Sequence, residues 1–143
     1  MKLKVLVLLT FIFVVVSCAS NKVVISVDAN KTLRLHDIWS VEEIYGSAII
    51  QIKNRPNLEI FIERKEILGF GGCNNFKGKI RDISQSKITF SSISSTKKAC
   101  SNLEIEHSFI KALQATKAYK IEDLKLSFYD SSGSKVIQLR KVD

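Results

Sequence analysis

The chain has 143 residues, with 22 basic and 14 acidic side chains, three cysteines and 45% hydrophobic content. That size provides for one domain with its own core and leaves too little for a second. The basic residues are scattered in short clusters such as Lys77, Lys79 and Arg81 or Lys97 and Lys98, with no long basic run interleaved with aromatics, which argues against nucleic acid as a partner.

Met1-Lys2-Leu3-Lys4 puts two positive charges ahead of an apolar run from Val5 to Val16, the pattern of a signal peptide over residues 1–17. As a helix, that run would reach only about 18 Å, against the roughly 30 Å of a bilayer core, so a permanent span is not expected. The run ends in Val15-Val16-Ser17-Cys18, which resembles a lipobox: an aliphatic residue, a tolerant position, a small residue and the cysteine whose thiol forms a thioether to diacylglycerol. Cys18 is therefore the expected lipidation site and the membrane the expected partner through that anchor. Ala19 follows in place of an aspartate, favouring delivery to the outer membrane, facing the periplasm, by resemblance to the enterobacterial sorting pattern.

Removal of 17 residues leaves 126, and with Lys2 and Lys4 gone 20 basic side chains stand against 14 acidic ones, a net charge of +6. Such a surface is solvated and mildly attracted to anionic headgroups. Cys73 and Cys100 remain once Cys18 is lipidated, and an even count in an oxidising compartment predicts one disulfide.

Residues 18–31 read as the lipidated cysteine and a tether, with the domain running from Thr32 to Asp143. Leu33, Leu35, Trp39, Val41 and Ile44 suggest a first strand over 33–44 with a large aromatic anchor. Ile49, Ile50 and Ile52 form a short apolar stretch before the turn signal Asn54-Arg55-Pro56-Asn57. Residues 58–64 alternate as a half-buried strand should, and Ile67-Leu68-Gly69-Phe70-Gly71-Gly72 reads as a glycine-rich strand end. Two further strands are predicted over 78–83 and 87–93, joined near Ser84-Gln85-Ser86.

One helix is predicted over 102–118. Leu103, Ile105, Phe109, Ile110, Ala112 and Leu113 recur at helical spacing, with Glu104, Glu106, His107 and Lys111 on the other side and Ser101 or Asn102 as N-cap. Residues 124–129 and 135–142 flank Asp130-Ser131-Ser132-Gly133-Ser134 as a closing hairpin. Many short strands and one inserted helix point to a mainly β, β-rich α+β domain, closed or nearly closed to protect its edges.

Gly72-Cys73-Asn74-Asn75-Phe76-Lys77-Gly78, then Thr96-Lys97-Lys98-Ala99-Cys100, then the helix and a Tyr119 strand, with Trp39 ahead of them, are similar in order to the META domain, the HslJ-like family of bacterial envelope lipoproteins. The resemblance covers about residues 33–142. It implies a small antiparallel β-barrel-like fold with one packed helix. It also implies heat-shock and envelope-stress roles, tolerance of an apolar antibiotic, or a part in motility and secretion, without enzymatic activity.

The residues of the motif read as fold-builders: Gly71, Gly72 and Gly78 allow tight turning and close backbone approach, Asn74 hydrogen-bonds nearby backbone, and Cys73 with Cys100 staples that turn to the helix start. Sharper chemistry finds little support. His36 and His107 are far apart, a cysteine hydrolase or zinc site from Cys73, Cys100 and His107 conflicts with a disulfide, and Glu104 and Glu106 read as helix-start charges. Glu42 and Glu43 read as a solvated strand edge. No cofactor or metal is expected. Two function classes compete: a module binding an apolar ligand or, like a pilotin, another envelope protein, and a structural or stress-adaptation lipoprotein acting through its surface. Space inside the barrel favours the first and a filled core the second.

Overall fold

The computed structural model describes residues 31–50, 53–100 and 103–142. Strands β1 (Ile38–Ile44), β2 (Ser47–Ala48), β3 (Asn57–Phe61), β4 (Glu66–Phe70), β5 (Asn75–Ile83) and β6 (Ile88–Ser95) precede helix α1 (Leu103–Ala115), which is followed by β7 (Ala118–Glu122), β8 (Lys125–Tyr129) and β9 (Lys135–Lys141). Eight of the strands form one antiparallel path in the order β6-β5-β4-β3-β1-β9-β8-β7, with β2 paired to β1. The sheet curls until its two edges meet at a single bridge between Lys87 and Ala118, backed by the Tyr119 amide donating to Ser86 O at 2.8 Å. This contact covers part of both edges and leaves the sheet a curled half-barrel. The fold is thus the mainly β, barrel-like domain with one helix expected above.

Alternation explains most of the core. Leu58 and Ile60 of β3, Phe76 and Ile80 of β5, and Leu126 and Phe128 of β8 all point inward and are buried. Both ends of the barrel are plugged. At one end Leu35, fully buried, sits in the turn before β1 and its carbonyl accepts the Trp39 Nε1–H at 3.0 Å. At the other, Phe109, Ala112 and Leu113 of α1 bury one face of the helix, and Phe109 meets Phe76 edge to face at 5.5 Å. Trp39, Phe109 and Phe128 are the bulkiest of the fully buried side chains, and they fill the interior.

Four expectations need correction. The first strand begins at Ile38, not Leu33: residues 31–33 form a helical turn, and Leu33 is exposed. The strand expected from Gly78 begins at Asn75, because Gly78 puts no side chain between Ile67 and Ile93 and the ladder to β4 runs on unbroken to Phe70. The helix ends at Ala115 instead of Ala118, since the Thr116 amide tightens onto Leu113 O at 3.2 Å, the Lys117 amide is taken by Tyr129 O of β8 at 2.8 Å, and Ala118 enters β7. Glu42 and Glu43 are half-buried and paired: a bulge between Val41 and Glu43 turns both outward while keeping Val41 and Ile44 inside, and Arg140 and Lys135 of β9 meet them at 2.6 and 3.1 Å.

The signal peptide, Cys18 and residues 19–30 of the tether lie outside the described residues, as do Ile52 and the N-cap candidates Ser101 and Asn102.

Candidate functional site

The motif residues meet at the helix end of the barrel. After β4, Gly71 and Gly72 turn the chain; Gly72 has φ +103°, a backbone region open to glycine and strained for other residues. The turn closes through the Gly71 amide donating to Asn74 O at 2.8 Å. Cys73 and Cys100 form the expected disulfide, with 5.9 Å between their Cα atoms, and tie this turn to the segment entering α1. Both sulfurs are consumed, so neither can act as a thiolate nucleophile or metal ligand.

Asn74 is the hub. Buried to 2% exposure, its Oδ1 accepts from Lys98 N at 2.7 Å and from the Thr96 hydroxyl at 2.8 Å, while its Nδ2 donates to Lys98 O at 3.3 Å and to Cys73 Sγ at 3.4 Å. One side-chain amide thus clamps residues 96–98 against the turn. Thr96 N donates to Asn75 O at 3.0 Å, continuing the clamp from the backbone. Phe76 enters the core, Asn75 faces solvent, and Ala99 is exposed in the loop between β6 and α1.

Glu106 completes the corner, contrary to the expectation that it lies on the solvent side of the helix. Only 2% exposed, it accepts the Asn74 backbone N–H at Oε2 over 2.6 Å. It stands in the first turn of α1, where the positive end of the helix dipole stabilises a carboxylate. Its room comes from Gly71: a Cβ on that residue would lie 2.6 Å from Glu106 Cγ. A signal was available, because Glu106 precedes Phe109 and Leu113 by three and seven residues and so shares their face.

The corner opens onto a groove of about 400 Å³ lined by Thr96, Lys97, Lys98, Leu103, Glu106 and His107. His107 lies here, whereas His36 packs edge to face on Phe61 at the opposite end of the barrel, so the two histidines are not brought together. Trp39 is buried in the core and does not reach the corner. Among the described residues, every buried side-chain nitrogen or oxygen has a partner. The arrangement is chemically a clamp: the buried polar atoms of Asn74 and the Glu106 Oε2 are spent on holding its segments together.

The META domain family model matches residues 31–143. No curated protein matches the chain. Among solved structures, an NMR structure of a protein from Burkholderia xenovorans is similar with a TM-score of 0.60 and 15% identity, covering 80% of this chain and 87% of that one. A crystal structure of a DUF4847 family protein from Bacteroides vulgatus ATCC 8482 is similar with a TM-score of 0.54 and 16% identity, covering 76% and 96%. A further NMR structure has a TM-score of 0.59 and 20% identity, covering 75% and 90%. At these identities the likeness extends to the fold alone. The match over residues 31–143, with the glycine, cysteine and asparagine corner at its centre, places this chain in the META domain family.

Proposed function

We propose that the protein is a non-enzymatic envelope lipoprotein, exported by residues 1–17, anchored through Cys18, and acting through the outer surface of its META domain in maintaining the envelope or adapting it to stress. The observation that carries the surface reading is the filled interior. Trp39, Phe109 and Phe128 occupy the barrel, while Leu35 and Leu113 plug its ends. A carrier of an apolar ligand needs space where these side chains stand. The Cys73–Cys100 bond suits an oxidising compartment and so supports export. Anchoring rests on the pattern Val15-Val16-Ser17-Cys18, and outer-membrane delivery on Ala19.

Two measurements test this reading. Cys18→Ala is expected to abolish processing and release the protein from the membrane fraction; unchanged processing and fractionation would refute the anchor. Native mass spectrometry of the exported mature domain is expected to give the bare polypeptide mass. An apolar adduct lost on denaturation would instead return the protein to the carrier class.

A further inference from the structure

The two ends of the barrel differ in how their exposed apolar side chains are grouped: Tyr45 and Ile50, exposed by 46 and 72%, stand on the helix side near the clamp, and a group of four stands at the other end. At the clamp end, the turn between β8 and β9 is Asp130-Ser131-Ser132-Gly133-Ser134, polar and exposed throughout except for partly covered Asp130. At the other end, where the described chain begins, four large apolar side chains face outward: Leu33, Ile38, Leu124 and Val142, exposed by 54, 46, 42 and 46%. Backbone contacts hold them in one neighbourhood. The Val142 amide donates to Ile38 O at 3.0 Å and the Lys141 amide to Leu124 O at 2.8 Å. Leu33 and Leu124 also line the same groove of about 420 Å³, together with Arg34 and Lys141. Thr32 hydrogen-bonds Tyr119 of β7, so the entering chain is pinned across the barrel mouth.

We propose that this end of the barrel rests on an anionic lipid surface, with Leu33, Ile38, Leu124 and Val142 entering the headgroup region. The proposal builds on anchoring at Cys18. Two observations select lipid as the occupant. Twelve residues separate Cys18 from Lys31. Even fully extended they span no more than about 45 Å, which keeps the domain close to the bilayer, and they join it at the end that carries these four side chains. The charge also fits. Within the groove Lys141 is matched by Asp37 at 2.7 Å, and Arg34 donates to the backbone carbonyl of Asp123 at 3.2 Å. The groove is thus balanced, and the positive charge that favours an anionic over a neutral surface is that of the mature chain as a whole, 20 basic against 14 acidic side chains. Exposed aliphatic side chains on a domain of net positive charge suit a headgroup layer, where the apolar tips dehydrate and cations meet phosphate.

The test uses the full-length lipidated protein in vesicles of phosphatidylcholine and phosphatidylglycerol. A nitroxide is attached at Leu124→Cys and, in a second variant, at Ser131→Cys on the opposite end. Both positions are exposed, and circular dichroism checks that each variant keeps its fold. The label at 124 is expected to be several-fold more accessible to oxygen, relative to a water-soluble nickel chelate, than the label at 131. Equal ratios would overturn the proposal. Vesicles of phosphatidylcholine alone are expected to lower the ratio at 124, and no change would overturn the anionic preference. Acylation of Cys18 is read separately by mass. If it is absent, the anchoring reading fails by itself, and the unanchored protein added to the same vesicles decides the surface: a water-like reading at 124 refutes it and a lipid-like one sustains it.

Discussion

The backbone amide of Asn74 donates to the Glu106 carboxylate over 2.6 Å, joining the turn after β4 to the first turn of α1 across 32 residues of sequence. A carboxylate this deeply buried is costly to desolvate unless it is hydrogen-bonded and favourably placed in a field. The amide and the helix N-terminus supply both conditions, and the absence of a side chain on Gly71 makes room for the carboxylate. The helix is thereby locked to the barrel at a fixed register.

Removing Glu106 should therefore destabilise the domain without unfolding its strands individually. Glu106→Ala leaves a buried N–H without its acceptor, a loss of about 2 to 3 kcal/mol. Glu106→Gln retains an acceptor oxygen and should lose about 1 kcal/mol. Chemical denaturation of the three proteins checks the ranking. Equal losses would mean that the charge matters and the acceptor does not.

Gly71→Ala should be destabilising by about 1 to 3 kcal/mol, because its Cβ would fall 2.6 Å from Glu106 Cγ and the crowded carboxylate must move. In a Glu106→Ala background that obstacle is gone, so the same substitution should cost far less. A double-mutant cycle measures the coupling. Additive losses would show that Gly71 is needed for its backbone alone.

Features set by local pattern were legible in the chain. The alternation of Leu58 and Ile60 with Glu59 and Phe61 marks β3, and the spacing of Phe109, Ala112 and Leu113 marks the buried face of α1. The motif order around Cys73 and Cys100 located the clamp. What escaped depends on partners distant in sequence. The bulge at Glu42 is a matter of register against β9, and the sites of Glu42 and Glu43 follow from where Arg140 and Lys135 arrive. Glu106 looked like a solvent-facing charge because its burial requires Gly71 and the Asn74 amide, which only the closed sheet brings to it. Leu33 read as a strand residue because apolar character alone does not say which surface will cover it.

Glu42 predicts part of the acid response. Hydrogen bonds from Arg140 and then Gln138 hold its carboxyl below the ordinary glutamate value of 4.5. A group depressed in the folded state contributes stability that is present above its unfolded pKa and is lost as pH falls through the folded one. The contribution should be complete at pH 7 and decline below about pH 4.5. Glu42→Gln should therefore be less stable than the parent at neutral pH, with the gap narrowing on acidification. Denaturant midpoints at pH 7 and pH 3 provide the comparison; a constant gap would contradict the assignment.

The disulfide and the Asn74 clamp hold the same two segments together by different physics, which makes them separable. The Cys73–Cys100 bond closes a separation of 27 residues. The chain-entropy relation then assigns it roughly 3 to 4 kcal/mol, acting through the unfolded state. Replacing both cysteines by serine should lower stability by that amount while the folded corner persists, since Asn74 Oδ1 still accepts from Lys98 N and Thr96. Asn74→Ala acts on the folded state instead, orphaning the Lys98 amide, and should cost about 1 to 3 kcal/mol. With the disulfide intact, the 96–100 segment stays tethered near Cys73 after Asn74→Ala. Without it, only the Thr96 amide bond to Asn75 O is left to recapture that segment, and combining the changes should cost more than their sum. Urea unfolding of the single and combined variants, with amide exchange at Lys98 as the local readout, tests this. Strict additivity, or loss of Lys98 protection in the cysteine variant alone, would show that the covalent bond rather than Asn74 organises the corner.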